Sequence, residues 1–340
     1  MLKFTGDVCF TDNHFDIGYG VGSYIAKGGN PFAFIAKNPQ DVWVGNFECV
    51  ASTFSPHTDY HKDCFRIDPA LLQGCQLFDY FGIANNHVME HGPDAYNQMR
   101  SNLLTICKGT FGSLENKSVI FDHQDKKVAV TGFCLRREEN PYNPAYWCQP
   151  DLCEIEAEYK TLNAHYKVAY IHWGVEFVNY PTVEQVKFAQ WLIDLGYDLI
   201  IGMHPHVMQG YEVYKGKHIF YSLGNFVFNM AYLPTKYAAV VNVDVANGQV
   251  AYEYVLIDKN YCPHIIEPNR VPDEFRFDKL NKSVTCVQNP EEYAQEATKG
   301  LKKYRKSHHC DFIRNIGRYD ISVLKNILLN FLKRRIKNGN

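Results

Sequence analysis

Six times along the chain a short apolar run, rich in β-branched and aromatic residues, stops abruptly at a small residue or a polar cluster. Leu2–Thr5 runs into Gly6-Asp7, Val42–Val44 into Gly45-Asn46-Phe47-Glu48, and Tyr80–Ile83 into Ala84-Asn85-Asn86-His87. Further on, Val168–Ile171 runs into His172-Trp173-Gly174, Leu199–Ile201 into Gly202-Met203-His204-Pro205-His206, and Ile219–Leu223 into Gly224-Asn225-Phe226. Runs this short do not make ordinary helices, and continuous apolarity in place of alternation predicts strands covered on both faces. Between them the spacing predicts helices over Pro69–Phe78, Pro93–Leu104, Cys153–Asn163 and Val183–Leu195, the last with Val186, Ala189, Leu192 and Ile193 in helical register. Strand, cluster, helix, strand is the order of an α/β chain, in which ligands bind beyond the carboxyl ends of strands. Ala238–Val245 and Gln249–Ile257 flank Ala246-Asn247-Gly248 and predict an antiparallel hairpin. From about residue 262 apolar strands are expected to stop, which divides the chain into a domain over 1–262 and a partly helical, basic extension over 263–340.

Of 340 residues, 46% are hydrophobic and 21% charged, enough for a large core and incompatible with a disordered chain. The 35 basic and 37 acidic residues give a net charge of -2, which offers no reason to expect a nucleic-acid partner. The charge is uneven, with 12 Lys or Arg against 2 Asp in residues 299–340. There Ile321, Leu324, Ile327, Leu328, Phe331, Leu332 and Ile336 fall on one helical face, with Lys325, Lys333, Arg334, Arg335 and Lys337 on and beside the other. Two readings stand: the apolar face docks on the main domain, or 321–337 makes a peripheral contact with an anionic membrane surface. No run approaches the roughly 18 apolar residues of a transmembrane helix. The first cluster arrives by Asp7, leaving no space for a signal peptide. The 11 cysteines are scattered, with no C-x-x-C spacing, as expected for reduced thiols. These features lead us to expect a cytoplasmic protein, with the inner face of the membrane as the alternative location.

The strand ends together offer Asp7, Glu48, Asn86, His172, His204 and His206. Carboxylate, amide and imidazole donors without thiolate suit Mn, Fe(II), Zn or Co better than calcium or structural zinc. Two divalent ions are served if Glu48 bridges them, and such a pair clamps a phosphoryl group and activates a shared water. In His204-Pro205-His206, Pro205 disfavours helix at His204 and holds the two imidazoles on an irregular loop just past a strand. Beside Asn86, His87 is available to protonate a leaving alkoxide. Each of these has an ordinary structural counterpart: exposed loop histidines, a capped strand end at Asn85-Asn86, and a turn residue at Asp7. Their joint occurrence at strand ends favours the metal reading. Asn85, Trp173, Glu176 and Asn225, with Tyr180, are placed to line a pocket mouth and are candidate substrate contacts. His14, His57, His61 and His91 read as plain loop histidines. Cys9, two residues beyond Asp7, is either a metal contact or a small buried apolar residue.

This series of motifs, completed by Val175-Glu176 after Gly174 and Tyr221-Ser222-Leu223 before Gly224, resembles the CapA family of poly-γ-glutamate and capsule biosynthesis, within the calcineurin-like metallophosphoesterase superfamily. The resemblance covers about residues 1–260. It implies a four-layer, two-sheet β-sandwich flanked by helices, here followed by the helical basic extension. It also implies that Glu48 bridges two ions where an Asp is usual, that Asn86, His172 and His204 complete one ion, that Asp7 and His206 hold the other, and that His87 is the general acid. Superfamily phosphatases usually carry a histidine where this chain has Cys9, so the second ion is expected to be weak or completed by Cys9, His14 or water. The implied function is a metal-dependent phosphomonoesterase or phosphodiesterase in capsule or exopolysaccharide synthesis, acting on a phosphorylated or polymer-linked small molecule. Two alternatives are amide-bond chemistry on a γ-glutamyl polymer and a non-catalytic scaffold beside polymer-synthesis enzymes.

Overall fold

The computed structural model describes residues 1–340 apart from 15, 137–140, 285–288, 320 and 326–340. Its strands in chain order are β1 (Leu2–Val8), β2 (Val42–Phe47), β3 (Val50–Ala51), β4 (Arg66–Ile67), β5 (Tyr80–Gly82), β6 (Gly109–Phe111), β7 (Ser118–His123) and β8 (Lys126–Cys134). There follow β9 (Tyr166–His172), β10 (Leu199–Met203), β11 (Tyr211–Tyr214), β12 (Lys217–Phe220), β13 (Asn225–Val227), β14 (Tyr237–Asp244), β15 (Gln249–Ile257) and β16 (Pro263–Ile266). Among the described residues they form an eight-stranded sheet, order β16-β15-β14-β1-β2-β5-β6 with β13 also paired to β1, and a six-stranded sheet, order β11-β12-β10-β9-β8-β7. The neighbours β3 and β4 make a separate small pair. From β1 to β6 the first sheet is parallel, and so are β8, β9, β10 and β12 at the centre of the second.

Alternation within these strands builds the layers. Val128, Val130, Val168, Tyr170, Leu199 and Ile201 face Leu2, Phe4 and Val44 across the seam between the sheets. Their neighbours Ala129, Ala169, Ile171 and Ile200 pack outward with Ile155 and Leu192 of helices α3 (Leu152–Thr161) and α4 (Val183–Leu195). Side chains of successive strand residues point to opposite faces, so apolar residues at every position serve two interfaces. On the other flank, Val8, Phe47 and Phe81 meet Ala95, Tyr96 and Met99 of α2 (Gly92–Leu103), and a short helix α1 (Val21–Ala26) lies on the same side. The result is helix, sheet, sheet, helix, the α/β sandwich anticipated above.

Two details differ from the sequence reading. Pro69–Cys75 is a 3₁₀ helix, long for that form, which ends three residues short of the helix expected to Phe78, with Gly74 near its end. The first sheet runs on to Ile266, past the boundary expected at 262, because β16 pairs antiparallel with β15 through Tyr254↔Ile266 and Val255↔Ile265. Beyond it come α5 (Phe277–Val284) and the 26-residue α6 (Pro290–Asn315), capped by Asn289. Among the described residues no helix is long and apolar enough to cross a membrane. Most of the amphipathic stretch 321–337 lies outside the described residues; at its start Ile321 is exposed while Val323 packs on the core.

Candidate metal centre

Parallel strands send their carboxyl ends the same way, and the two sheets bring theirs to one edge. Asp7 lies opposite Asn46 on one side and Asn225 on the other. Gly6 allows this close approach: a Cβ there would sit 1.8 Å from the Gly224 carbonyl oxygen. From the second sheet, His172 ends β9 and Met203 ends β10, after which the chain turns through His204 (φ 96°) and His206 (φ 58°). Left-handed backbone at non-glycine residues costs of order 1–3 kcal/mol and persists only where surroundings enforce it. Here the His204 amide donates to Asp7 Oδ2 at 3.0 Å, tying the turn to the opposite sheet.

The carboxylates and imidazoles converge. Glu48, His172 and His204 offer ligand atoms all within 4.8 Å of one another, and so do Asp7, Glu48 and His206, with Glu48 common to both groups. Glu48 Oε1 is 3.8 Å from Nε2 of His172 and 3.8 Å from Nε2 of His206. Asn86 joins the first group, its Oδ1 2.7 Å from His172 Nε2. The six candidate ligands Asp7, Glu48, Asn86, His172, His204 and His206 are therefore gathered at one place. Both oxygens of Glu48 and both ring nitrogens of His204 are buried without a hydrogen-bond partner. Buried polar atoms are nearly always paired, and two adjacent orphaned residues that can both offer lone pairs, a carboxylate and an imidazole, fit a divalent cation between them. Mixed O/N donors match Mn, Fe, Zn or Co.

The electrostatics agree. Burial, then the nearby Asp7 charge, pushes the Glu48 carboxyl well above its usual range. Burial also tends to raise Asp7, but His206, His172 and Asn46 outweigh it and bring the group down to about 2. Burial holds His172 down to about 3 and His204 well below the ordinary imidazole value, so both rings are neutral donors. In His206 burial is overcome by Asp7, and the ring is held above its ordinary value. Its Nδ1 faces Asn225 Oδ1 at 2.9 Å and Asp7 Oδ2 at 3.5 Å, which leaves Nε2 aimed at Glu48.

His87 stands at the edge. Its Nδ1 is 2.9 Å from Glu90 Oε1, its Nε2 is 3.9 Å from Glu48 Oε1, and its ring stacks on Phe65 at 4.0 Å. The expected pocket residues divide. Glu176 is half-buried and close enough for its charge to act on Glu48 and His206. Asn85, Trp173 and Asn225 are turned inward, and their polar atoms are spent on the protein. Asn85 Nδ2 donates to Asn46 Oδ1 and the Phe47 carbonyl, Trp173 Nε1 donates to the Tyr221 carbonyl, and Asn225 faces His206. Cys9 belongs to neither ligand group; its sulfur lies 3.0 Å from Thr11 Oγ1. His14 lies against His61 and Phe65, the ring on which His87 also stacks, and His57 lies against His91.

One residue with a central position was missed. Asn46 Nδ2 donates to Asp7 Oδ1 at 2.8 Å and lies 3.3 Å from His172 Nδ1, while its Oδ1 accepts from Asn85. The available signal was spacing: two residues before Glu48 on a strand, Asn46 shares its face.

A family model described as bacterial capsule synthesis protein PGA_cap matches residues 1–230. Capsule biosynthesis protein CapA of Bacillus anthracis is 32% identical over 190 residues, 51% of this chain and 46% of that protein. PGA biosynthesis protein CapA of Bacillus subtilis (strain 168) is 30% identical over 196 residues, 53% of this chain and 51% of that protein. The chain thus spans about half the length of these curated relatives. Among solved structures, a novel phosphatase of Mycoplasma pneumoniae superposes with a TM-score of 0.45 at 11% identity, covering 76% of this chain and 95% of that one. The 5'-nucleotidase of Candida albicans SC5314 gives 0.42 at 10% identity, covering 91% and 58%.

Proposed function

The chain belongs to the bacterial capsule synthesis protein family PGA_cap, and on that premise we propose that it is a metal-dependent hydrolase of phosphoesters, a phosphomonoesterase or phosphodiesterase, acting in capsule or poly-γ-glutamate synthesis. The observation that carries the reading is the shared, unpaired Glu48 carboxylate between two buried ligand groups. Glu48, Asn86, His172 and His204 would hold one divalent ion, and Asp7, Glu48 and His206 the other. Two such ions supply a clamp for a tetrahedral phosphoryl group and lower the pKa of a shared water toward about 7. The protein's own part is positional. Asn46 fixes Asp7, Asn225 fixes His206, and Glu90 holds His87 Nδ1 so that Nε2 faces the site, where it can donate a proton to the leaving oxygen. The substrate in this reading is a phosphorylated or polymer-linked small molecule, handled beside polymer-synthesis enzymes.

Metal-free protein given Mn or Co should recover turnover of an aryl phosphate, while His204→Ala and His172→Ala should each lose bound metal by elemental analysis. Full metal content in both variants would sink the reading. Assaying γ-glutamyl peptides in parallel separates amide-bond chemistry from phosphoester chemistry, and metal-loaded protein inert toward both would instead indicate a scaffold.

A further inference from the structure

The family match ends at residue 230, and α6 lies wholly beyond it. Two side chains of this helix nevertheless reach the surroundings of His206. Tyr304 and His308 are four residues apart, hence on one helical face, with rings 4.3 Å apart. Tyr304 stacks on Phe177 at 4.1 Å and 18°. His308 is buried, burial holds its ring down to about 4, and its Nε2 accepts a hydrogen bond from the Ala231 amide at 3.3 Å.

Each contact meets a segment that lies beside the His206 imidazole. The Phe177 ring lies 6.3 Å from that of His206, and its amide donates to the Pro205 carbonyl at 2.8 Å in a left-handed conformation (φ 64°). The Phe228 ring, three residues before Ala231, lies 4.9 Å from that of His206. Gly300, one turn before Tyr304, lets the helix press home, since a Cβ there would sit 2.9 Å from the Phe177 carbonyl oxygen. Both ring contacts, from Phe177 and from Phe228, fall on His206, while His204 shares only the backbone anchor at Pro205.

We propose that α6 is a positioning element for His206: through Tyr304 on Phe177 and His308 on the Phe228–Ala231 segment it sets the affinity of the ion held by Asp7, Glu48 and His206, independently of the ion held by Glu48, His172 and His204. The inference rests on the metal reading above. Ring orientation governs how well an imidazole meets a metal, and outer partners of this kind change affinity about 10–100-fold.

The test compares full-length wild type, Tyr304→Ala, Tyr304→Phe, His308→Ala and, as a control on the same helix, Tyr293→Ala, which removes only a ring packed on Tyr180 at 5.4 Å. Cobalt is titrated into metal-free protein and followed by its visible absorption and by bound cobalt per chain. Wild type and Tyr293→Ala should fill both positions. Tyr304→Ala and His308→Ala should keep one ion and bind the second at least tenfold more weakly, with altered absorption for that ion alone. Tyr304→Phe should restore it, because the ring does the stacking. Wild-type affinity for both ions in Tyr304→Ala and His308→Ala, or equal weakening of both ions, would overturn the inference while leaving the metal reading intact. Wild type that takes up no ion overturns both. If Tyr304→Ala does not fold, His308→Ala decides by itself.

Discussion

The Asn46 side-chain amide donates to Asp7 Oδ1 at 2.8 Å, so a residue that is no metal-ligand candidate holds the first carboxylate in place. The same amide adjoins His172, and Asn46 is held in turn by Asn85. Asn46→Ala should therefore weaken ion binding by about 10–100-fold, the range found for outer partners of metal ligands, as read by isothermal titration. The loss should fall on both ions, since Asp7 and His172 belong to different ligand groups.

His87 makes a different prediction because it belongs to neither ligand group. His87→Ala should leave the metal content of the protein unchanged and lower kcat by about 10²–10⁴-fold, the usual contribution of a positioned proton donor. The drop should shrink for aryl phosphates with acidic leaving groups, which depart without a proton. A matching fall for good and poor leaving groups would remove His87 from that role.

Glu48 links the site to stability. Its folded-state pKa lies well above the ordinary 4.5, so below 4.5 its contribution to stability is fully present, and it is lost as pH rises through the folded value. Metal-free Glu48→Gln should then exceed metal-free wild type in stability at pH 8, by about 1–3 kcal/mol, the typical cost of an unsatisfied buried group. Adding Mn or Co should reverse the order, because only wild type gains from binding. Urea unfolding with and without metal measures both.

Ion uptake should strengthen with pH and release protons. His172 and His204 are neutral and Asp7 is ionised at pH 7, so these three have no proton to give up. Glu48 and His206, both held above their ordinary values, keep their protons to higher pH than usual and are the groups that release them. Filling both positions at low pH should release about two protons per chain, a number that falls as pH passes the two folded values. Calorimetry in buffers of different ionisation enthalpy counts them.

The strand ends were legible because parallel strands buried on both faces leave a contrast no other element produces: an uninterrupted apolar run cut off by Asp7, by Glu48, or by His204-Pro205-His206. Val183–Leu195 was legible to the residue, its apolar spacing framed by the Thr182 and Gln185 capping box and by Gly196. What stayed hidden depends on partners remote in sequence. Asn225 looked like a pocket residue because nothing in the chain order shows that its oxygen meets His206. Strand β16 begins with proline and has only four residues, too little pattern to register. The basic charge of the C-terminal region drew attention to its surface, whereas Tyr304 and His308, which face inward, are polar-tipped residues whose helical spacing does not stand out as an apolar stripe.

The candidate ligands are divided between the layers. Asp7, Glu48 and Asn86 lie in or just past strands of the eight-stranded sheet, and His172, His204 and His206 in or just past those of the six-stranded one. A cation held by both halves would act as a rivet through the sandwich, and its grip would measure how the halves are aligned. A slip of a fraction of an ångström along the seam would leave each sheet whole and spoil the coordination. The apolar side chains from Leu2 to Ile201 that interlock there are, in this sense, the gauge to which the chemistry is set.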